Sequence, residues 1–471
     1  MTDSSTQANN TLLNVAVVGH TNTGKTSLIR TMLRSSDFGT IEDGAGTTRH
    51  VEQATIYAGE EPILNLHDTP GLEDSYGLFS HLKKMASGHS SSTTRLLTDF
   101  VANITVDDPL EQEAKVIRQV LRSDVLLYII DVREPVLEKY RYELDILSKA
   151  TKPIIPVFNF IAGHPDELTE WREQLAVYHI YAALEFDTVA FTFEAEKRLY
   201  QKIQTLVDTH YTNLQKLINY RAKNWDQLCL SGAKRVTELI ITVACHRSTK
   251  YTENDPTAST LTAEKLQGFV RKAEQRCLKD LLSIYNFTEK DVAIQNIPVS
   301  DGQWQLDIFA PGILKAYGLD VGSSALKGAA AGAGIDLMVG GLSLGAASAL
   351  GALAGAGWST ARRYGSEIKA VLDGTEWLCA DENTLRVLYL RQRQLLEKLM
   401  HRGHAAVDTV EVKAPDSEKL PDDWSEITSI LRQNPAWHEA SSSRKNSQQY
   451  QDVEARLVGS LLKEPTSETK T

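Results

Sequence analysis

Cysteine is scarce in this chain of 471 residues: Cys229, Cys245, Cys277 and Cys379 stand far apart. No Cys-x-x-Cys pair and no Cys/His ligand spacing occurs, which argues against a zinc framework or a dense disulfide scaffold and points to a reducing, cytoplasmic setting. An excess of basic residues is also missing. Against 61 Asp and Glu there are 50 Lys and Arg, a formal net charge of −11. General nucleic-acid affinity is therefore not expected, although a local basic face stays open. The start of the chain, Met1 to Asn10, is polar and has no apolar signal core, so residues 1–11 read as a disordered lead-in. Long uncharged apolar runs are absent with one exception, from Leu337 to Trp358.

What is present begins at Gly19. Gly19-His20-Thr21-Asn22-Thr23-Gly24-Lys25-Thr26 fits G-x-x-x-x-G-K-[ST]. The apolar strand candidate Val15–Val18 precedes it, and the helix pattern Lys25–Leu33 follows. Strand, glycine loop and helix is the context in which this motif binds phosphate. Glycines let successive backbone N–H groups converge on phosphate oxygens, and the helix N-terminus adds partial positive charge. Lys25 is the expected partner of the outer phosphates, and the Thr26 hydroxyl, followed by Ser27, the expected ligand of magnesium.

The first ~195 residues alternate strand and helix patterns, as an α/β domain with a mostly parallel sheet flanked by helices would. Further strands are expected at Gln53–Tyr57, Ile63–His67, Val125–Asp131, Ile154–Phe158 and Thr188–Thr192. Helices are expected at Glu111–Arg122, Leu137–Lys149 and Glu167–Leu175, and the pattern loosens between Tyr76 and Pro109. After Glu194 long helical patterns take over: Glu194–Leu228, Ala233–Arg247, Thr262–Tyr285 and Thr384–His404. The domains read as 12–195 for the phosphate-binding domain, 196–404 for a mainly α-helical effector domain, and 405–471 for a mostly disordered, polar tail with a short helix near Trp424–Leu431.

Asp68-Thr69-Pro70-Gly71 closes the strand at Ile63–His67. A carboxylate there can hold magnesium through water, and the Gly71 N–H can sense a γ-phosphate. Gly46-Thr47-Thr48-Arg49 lies between the two motifs, where a threonine hydroxyl can complete the magnesium shell. Together Gly19–Thr26, Gly46–Arg49 and Asp68–Gly71 resemble the translation-factor-related GTPases of the TrmE and Era group, over residues 12–195. The resemblance implies GTP hydrolysis to GDP and phosphate, with magnesium at Thr26, Thr48 and Asp68. It implies phosphate contacts from Gly19, Thr23, Gly24 and Lys25, and a potassium ion held by Asn22. It also places Asn159 beside the base. The whole architecture resembles bacterial GTPases with a C-terminal helical domain of unknown function and a glycine-rich segment.

Two positions depart from the group. Leu72 stands where related switches place a water-orienting glutamine, and leucine has no hydrogen-bonding group. Hydrolysis is therefore expected to be slow without potassium or a partner; Glu73 and Asp74 are the carboxylates nearby. After Asn159, Phe160 replaces a lysine and Ala162 replaces the aspartate that reads guanine. Guanine readout then has to come from elsewhere, with Asp166 and Asp187 as candidates.

Within 322–357, Gly341, Gly345, Ser348, Ala352 and Gly355 recur at intervals of 4, 3, 4 and 3. On a helix this is a seam of small residues that another helix can approach closely. It is expected to form a glycine-rich helical hairpin that packs within a soluble domain, where it can also self-associate, or that inserts or docks reversibly at a membrane with Arg362 and Arg363 toward anionic headgroups; a permanent membrane span is the third reading. Arg386, Arg391, Arg393, Lys398 and Arg402 make the Thr384–His404 helix locally basic, either as a solvated face or as a surface for membrane or RNA. The overall expectation is a magnesium-dependent GTP switch with a helical output domain. A ribosome- or RNA-associated GTPase is the alternative, and a nucleotide-binding scaffold with little turnover the third reading.

Overall fold

The computed structural model describes residues 12–34, 51–87, 92–161, 164–188, 191–250, 256–287, 299–300, 303–304, 307–309, 335–339, 376–401, 420–438 and 447–463. The chain divides into two compact units between Asp226 and Gln227.

The first unit is built on β1 (Leu13–Val18), α1 (Lys25–Leu33), β2 (Glu52–Ala58), β3 (Glu61–Asp68), α2 (Ser75–Ala86), α3 (Thr93–Asn103), α4 (Glu111–Arg122) and β4 (Val125–Asp131). It continues with α5 (Glu138–Ser148), β5 (Ile154–Asn159), α6 (Pro165–Val177), β6 (Leu184–Glu185) and α7 (Phe193–Leu206). The sheet order is β2-β3-β1-β4-β5-β6. Only β2 runs antiparallel; β1 lies between β3 and β4 with Val17 beside Asp68 on one side and Leu127 on the other. The inner strands read as near-continuous apolar runs, since helices cover both faces. Leu13, Val15 and Val17 face one buried cluster with Leu28, Ile29 and Met32 of α1. Ala16 and Val18 face another, with Leu78 and Leu82 of α2 and Ile117 of α4.

Several expectations are corrected. The loosened stretch after Tyr76 holds two helices, α2 and α3, with Asp74 and Ser92 capping their N-termini through side-chain acceptors. Ser and Asp at these positions are strong helix starts. The sheet has an unexpected strand at Leu184–Glu185, and residues 189–190 of the expected strand Thr188–Thr192 lie outside the described residues. The Glu194–Leu228 pattern breaks earlier, after Leu206, and α8 (Tyr211–Cys245) runs unbroken through the gap expected near residue 230. Gly232 does not end α8: a Cβ there would meet Leu396 and Tyr285 at 2.7–2.9 Å, so the glycine serves close packing.

The second unit contains the end of α8, β7 (Ser248–Lys250), α9 (Pro256–Ile284), β8 (Val299–Ser300), β9 (Gln303–Trp304), β10 (Ile335–Val339) and β11 (Glu376–Ala380). It is completed by α10 (Glu382–His401), α11 (Trp424–Gln433) and α12 (Gln448–Leu462). A small sheet, β10-β11-β7, is antiparallel throughout. The start of the uncharged run, Leu337–Val339, thus belongs to a strand, and the glycine seam from Gly341 to Gly355 lies outside the described residues. Among the described residues no helix is long and apolar enough to cross a membrane. The short helix expected near Trp424–Leu431 is present as α11, and the tail expected to be mostly disordered also holds α12. Trp424, Ile427 and Leu431 of α11, and Tyr450, Val453, Leu457 and Leu461 of α12, enter the main core of this unit with Leu385, Leu388 and Leu396 of α10. The basic residues of α10 are only partly solvated: Arg386 and Lys398 are half-buried. Arg391 and Arg393 are buried, paired with Glu274 at 3.5 Å and Glu397 at 2.9 Å.

Candidate nucleotide site

The loop between β1 and α1 wraps through three positive φ values, at Gly19 (144°), Asn22 (64°) and Gly24 (94°). At Gly24 a Cβ would lie 2.2 Å from Asn159 Nδ2, and at Gly19 2.6 Å from the Ile129 carbonyl oxygen. Glycine is required at both for conformation and for space. Lys25 turns back over the loop and donates to the carbonyls of His20 (2.6 Å) and Gly19 (3.3 Å). Burial lowers its pKa, and the carboxylates of Asp68, Glu143 and Glu73 counter that effect. Thr23, also buried, donates to the His20 carbonyl at 3.0 Å. Asn22 is exposed at the crest of the loop.

At the start of α1, Thr26 Oγ1 donates to Asp68 Oδ2 at 2.6 Å. The other carboxylate oxygen, Oδ1, is buried without a hydrogen-bond partner. Burial raises the Asp68 carboxyl to about 6, against the favourable influence of Thr26, Lys25 and Arg30. A buried, under-satisfied carboxylate touching a hydroxyl is a hard oxygen donor set that lacks positive charge, and a magnesium ion fits it. Ser27 occupies the first turn of α1, its carbonyl accepting from Thr31 Oγ1 at 2.9 Å. Thr48 lies outside the described residues.

Gly71 presses on the phosphate loop so closely that a Cβ would meet Thr21 Oγ1 at 2.2 Å and its backbone at 2.7 Å. Leu72 is fully buried in the apolar cluster with Leu78 and Leu82. Its N–H donates to the Gly19 carbonyl at 3.3 Å.

Asn159, at the end of β5, is fully buried and ties three segments together. Its Nδ2 donates to the Thr23 carbonyl at 3.0 Å, and its Oδ1 accepts from the Thr188 N–H and hydroxyl, each at 3.0 Å. Phe160 follows at φ 56°, an uncommon conformation for an aromatic residue. The Arg133 guanidinium stacks 3.9 Å from its ring centroid and is itself held by Asp131 through two hydrogen bonds. An aromatic face beside Gly24 is a platform for a planar base. Ala162 lies outside the described residues, and Asp166 sits in the first turn of α6.

Sequence reasoning missed the His20 network. His20 Nδ1 lies 3.0 Å from the Leu72 carbonyl and 2.8 Å from Glu143 Oε1. Both partners are acceptors, so Nδ1 carries the proton. Tyr128 donates to the other oxygen of the fully buried Glu143 at 2.8 Å. No motif announces a contact spanning 123 residues. Thr188 was equally hidden, because its apolar neighbours read as a strand.

The fold and this loop define a P-loop GTPase domain. Residues 14–160 match the family described as 50S ribosome-binding GTPase. Residues 172–459 match the domain of unknown function DUF3482, and the chain belongs to that family. A GTPase Der from Campylobacter concisus is 31% identical over 159 residues, 34% of this chain and 27% of that relative. The chain therefore spans about a quarter of the length of that relative. A probable GTP-binding protein EngB from Desulforapulum autotrophicum is 26% identical over 202 residues, 42% of this chain and 88% of that protein. Among solved structures, Era in complex with MgGDPNP and a segment of 16S ribosomal RNA is similar at 16% identity and a TM-score of 0.29, covering 58% of this chain and 89% of that one.

Proposed function

We propose that the protein is a magnesium-dependent switch that binds GTP and hydrolyses it to GDP and phosphate, its C-terminal unit responding to nucleotide state. The observation that carries this reading is the Thr26–Asp68 contact at the head of α1, with Asp68 Oδ1 buried and unpaired. Thr26, Asp68 and Thr48 would hold magnesium, which would supply the positive charge that the nucleotide phosphates require. Lys25 exchanges the carbonyls of Gly19 and His20 for the outer phosphate oxygens and stabilises the charge that develops there. The loop amides hold the remaining phosphate oxygens, and Gly71 registers the γ-phosphate. Asn159 fixes the base-side loop, with Phe160 covering the base. Since Leu72 is locked in the core and cannot orient water, turnover is slow unless potassium, held through Asn22, or a partner assists.

Phosphate release in magnesium with potassium or sodium, against a Lys25→Ala control, tests this reading. The expected outcome is turnover above the control that rises in potassium. Tight GTP binding with no turnover above Lys25→Ala would favour the scaffold reading, and equal rates in the two salts would remove the potassium role. Competition among GTP, GDP and ATP tests the base, given Ala162. A second reading, action on the ribosome, is supported by the description of the family matched by residues 14–160. Co-sedimentation with large ribosomal subunits or with anionic liposomes, with GTP or GDP present, separates that output from the membrane contact suggested by the composition of 322–363.

A further inference from the structure

We propose that Glu73 is the catalytic residue that orients the attacking water and takes its proton. The inference rests on the hydrolysis reading above and supplies the group that Leu72 cannot. Leu72 is pinned on both sides of its peptide, N–H to the Gly19 carbonyl and carbonyl to His20 Nδ1, with its side chain in the core. The next residue emerges at the phosphate loop instead. Glu73 is exposed, and its Oε1 accepts from Thr21 Oγ1 at 3.2 Å. Its charge also acts on Lys25, so the carboxylate stands within electrostatic range of the group that meets the outer phosphates.

The neighbouring carboxylates are committed elsewhere. Asp68 accepts from Thr26, and Glu143 from His20 and Tyr128. Asp74 caps α2 through the Gly77 N–H at 2.8 Å, and Glu113 accepts from the Asp74 N–H at 3.0 Å. Glu73 is held by one hydroxyl and otherwise faces solvent, which leaves acceptor capacity for a water molecule. Such a position suits a general base: fixed on one side by the loop that binds the phosphates, open on the other.

In the step itself, the water oxygen forms a bond to the γ-phosphorus. The bond from that phosphorus to the β–γ bridging oxygen breaks, and its electron pair leaves on GDP. The water proton passes to the Glu73 carboxylate and from there to solvent.

The test compares Glu73→Ala, Glu73→Gln and Glu73→Asp with wild type, in magnesium and potassium, by single-turnover phosphate release and by titration with fluorescent GTP and GDP analogues. The expected result is a loss of about 100-fold in rate for the Ala and Gln variants, unchanged affinity for both nucleotides, and partial recovery in the Asp variant. A rate within threefold of wild type in Glu73→Ala overturns the proposal. So does a parallel loss of rate and affinity, which would make Glu73 a binding group. If wild type itself shows no turnover above Lys25→Ala, the hydrolysis reading fails and takes this proposal with it. Turnover in wild type that ignores Glu73 sinks this proposal alone.

Discussion

Burial pushes the Glu274 carboxyl of α9 up to about 7, and Arg391 and Gln392 only partly offset the desolvation. Its unfolded value is near 4.5, so the folded state binds the proton more tightly. Stability from this group is fully present below pH 4.5 and is lost as pH rises through 7, on the order of 3 kcal/mol. Denaturant unfolding of wild type and Glu274→Gln at pH values from 4.5 to 8 checks the sign. Wild type should lose stability relative to the variant as pH rises across that window; a constant difference would mean that Glu274 keeps the same charge throughout. At Glu274, as at Asp68, a carboxylate in a low-dielectric site needs a partner charge. Arg391 is that partner in the second unit, and magnesium is the proposed one in the first.

Helix α12 shows how an element can be mistaken for a tail. Its sequence, Gln448–Leu462, mixes polar and apolar residues in about equal measure, yet Tyr450, Val453, Leu457 and Leu461 follow one helical face and are buried. Ser447 caps it by accepting from the Tyr450 N–H at 3.3 Å. Leu457→Ala should therefore cost roughly 2–5 kcal/mol of stability, the range for emptying a packed leucine site. Urea unfolding read by tryptophan fluorescence measures it, and a loss below about 0.5 kcal/mol would show that α12 is not part of the core. The same reasoning applies to α10, whose arginines look like a basic surface in sequence. Arg391 and Arg393 are spaced two apart and both are buried, because Glu274 and Glu397 receive them.

For the whole molecule, two compact units with separate cores predict two unfolding transitions. Hydrogen exchange during denaturation assigns them, since each unit contributes its own buried strands and helices. Magnesium and GTP at 100 times the dissociation constant should raise the transition of the first unit by about 2.7 kcal/mol. The switch reading further expects the second transition to differ between GTP and GDP. A second transition indifferent to nucleotide would leave the first unit a self-contained GTPase domain and the DUF3482 region without a nucleotide-driven output.

Phosphate chemistry was legible without any structure. Gly19–Thr26 and Asp68–Gly71 are local patterns whose function depends on backbone conformation and spacing, and a strand before and a helix after suffice to locate them. The sheet strands were legible for a similar reason, because burial on both faces writes itself as apolar runs. Contacts across long separations could not be read that way. Asn159 bonding Thr23 and Thr188, His20 bonding Glu143, and Glu73 reaching Thr21 all depend on which strand ends the sheet order brings together. Burial of α11, α12 and Arg391 of α10 depends likewise on partners more than twenty residues away. Local periodicity records the face that an element can bury. Whether that face meets an apolar core, a carboxylate or water is settled by packing, where the free energy of the second element enters.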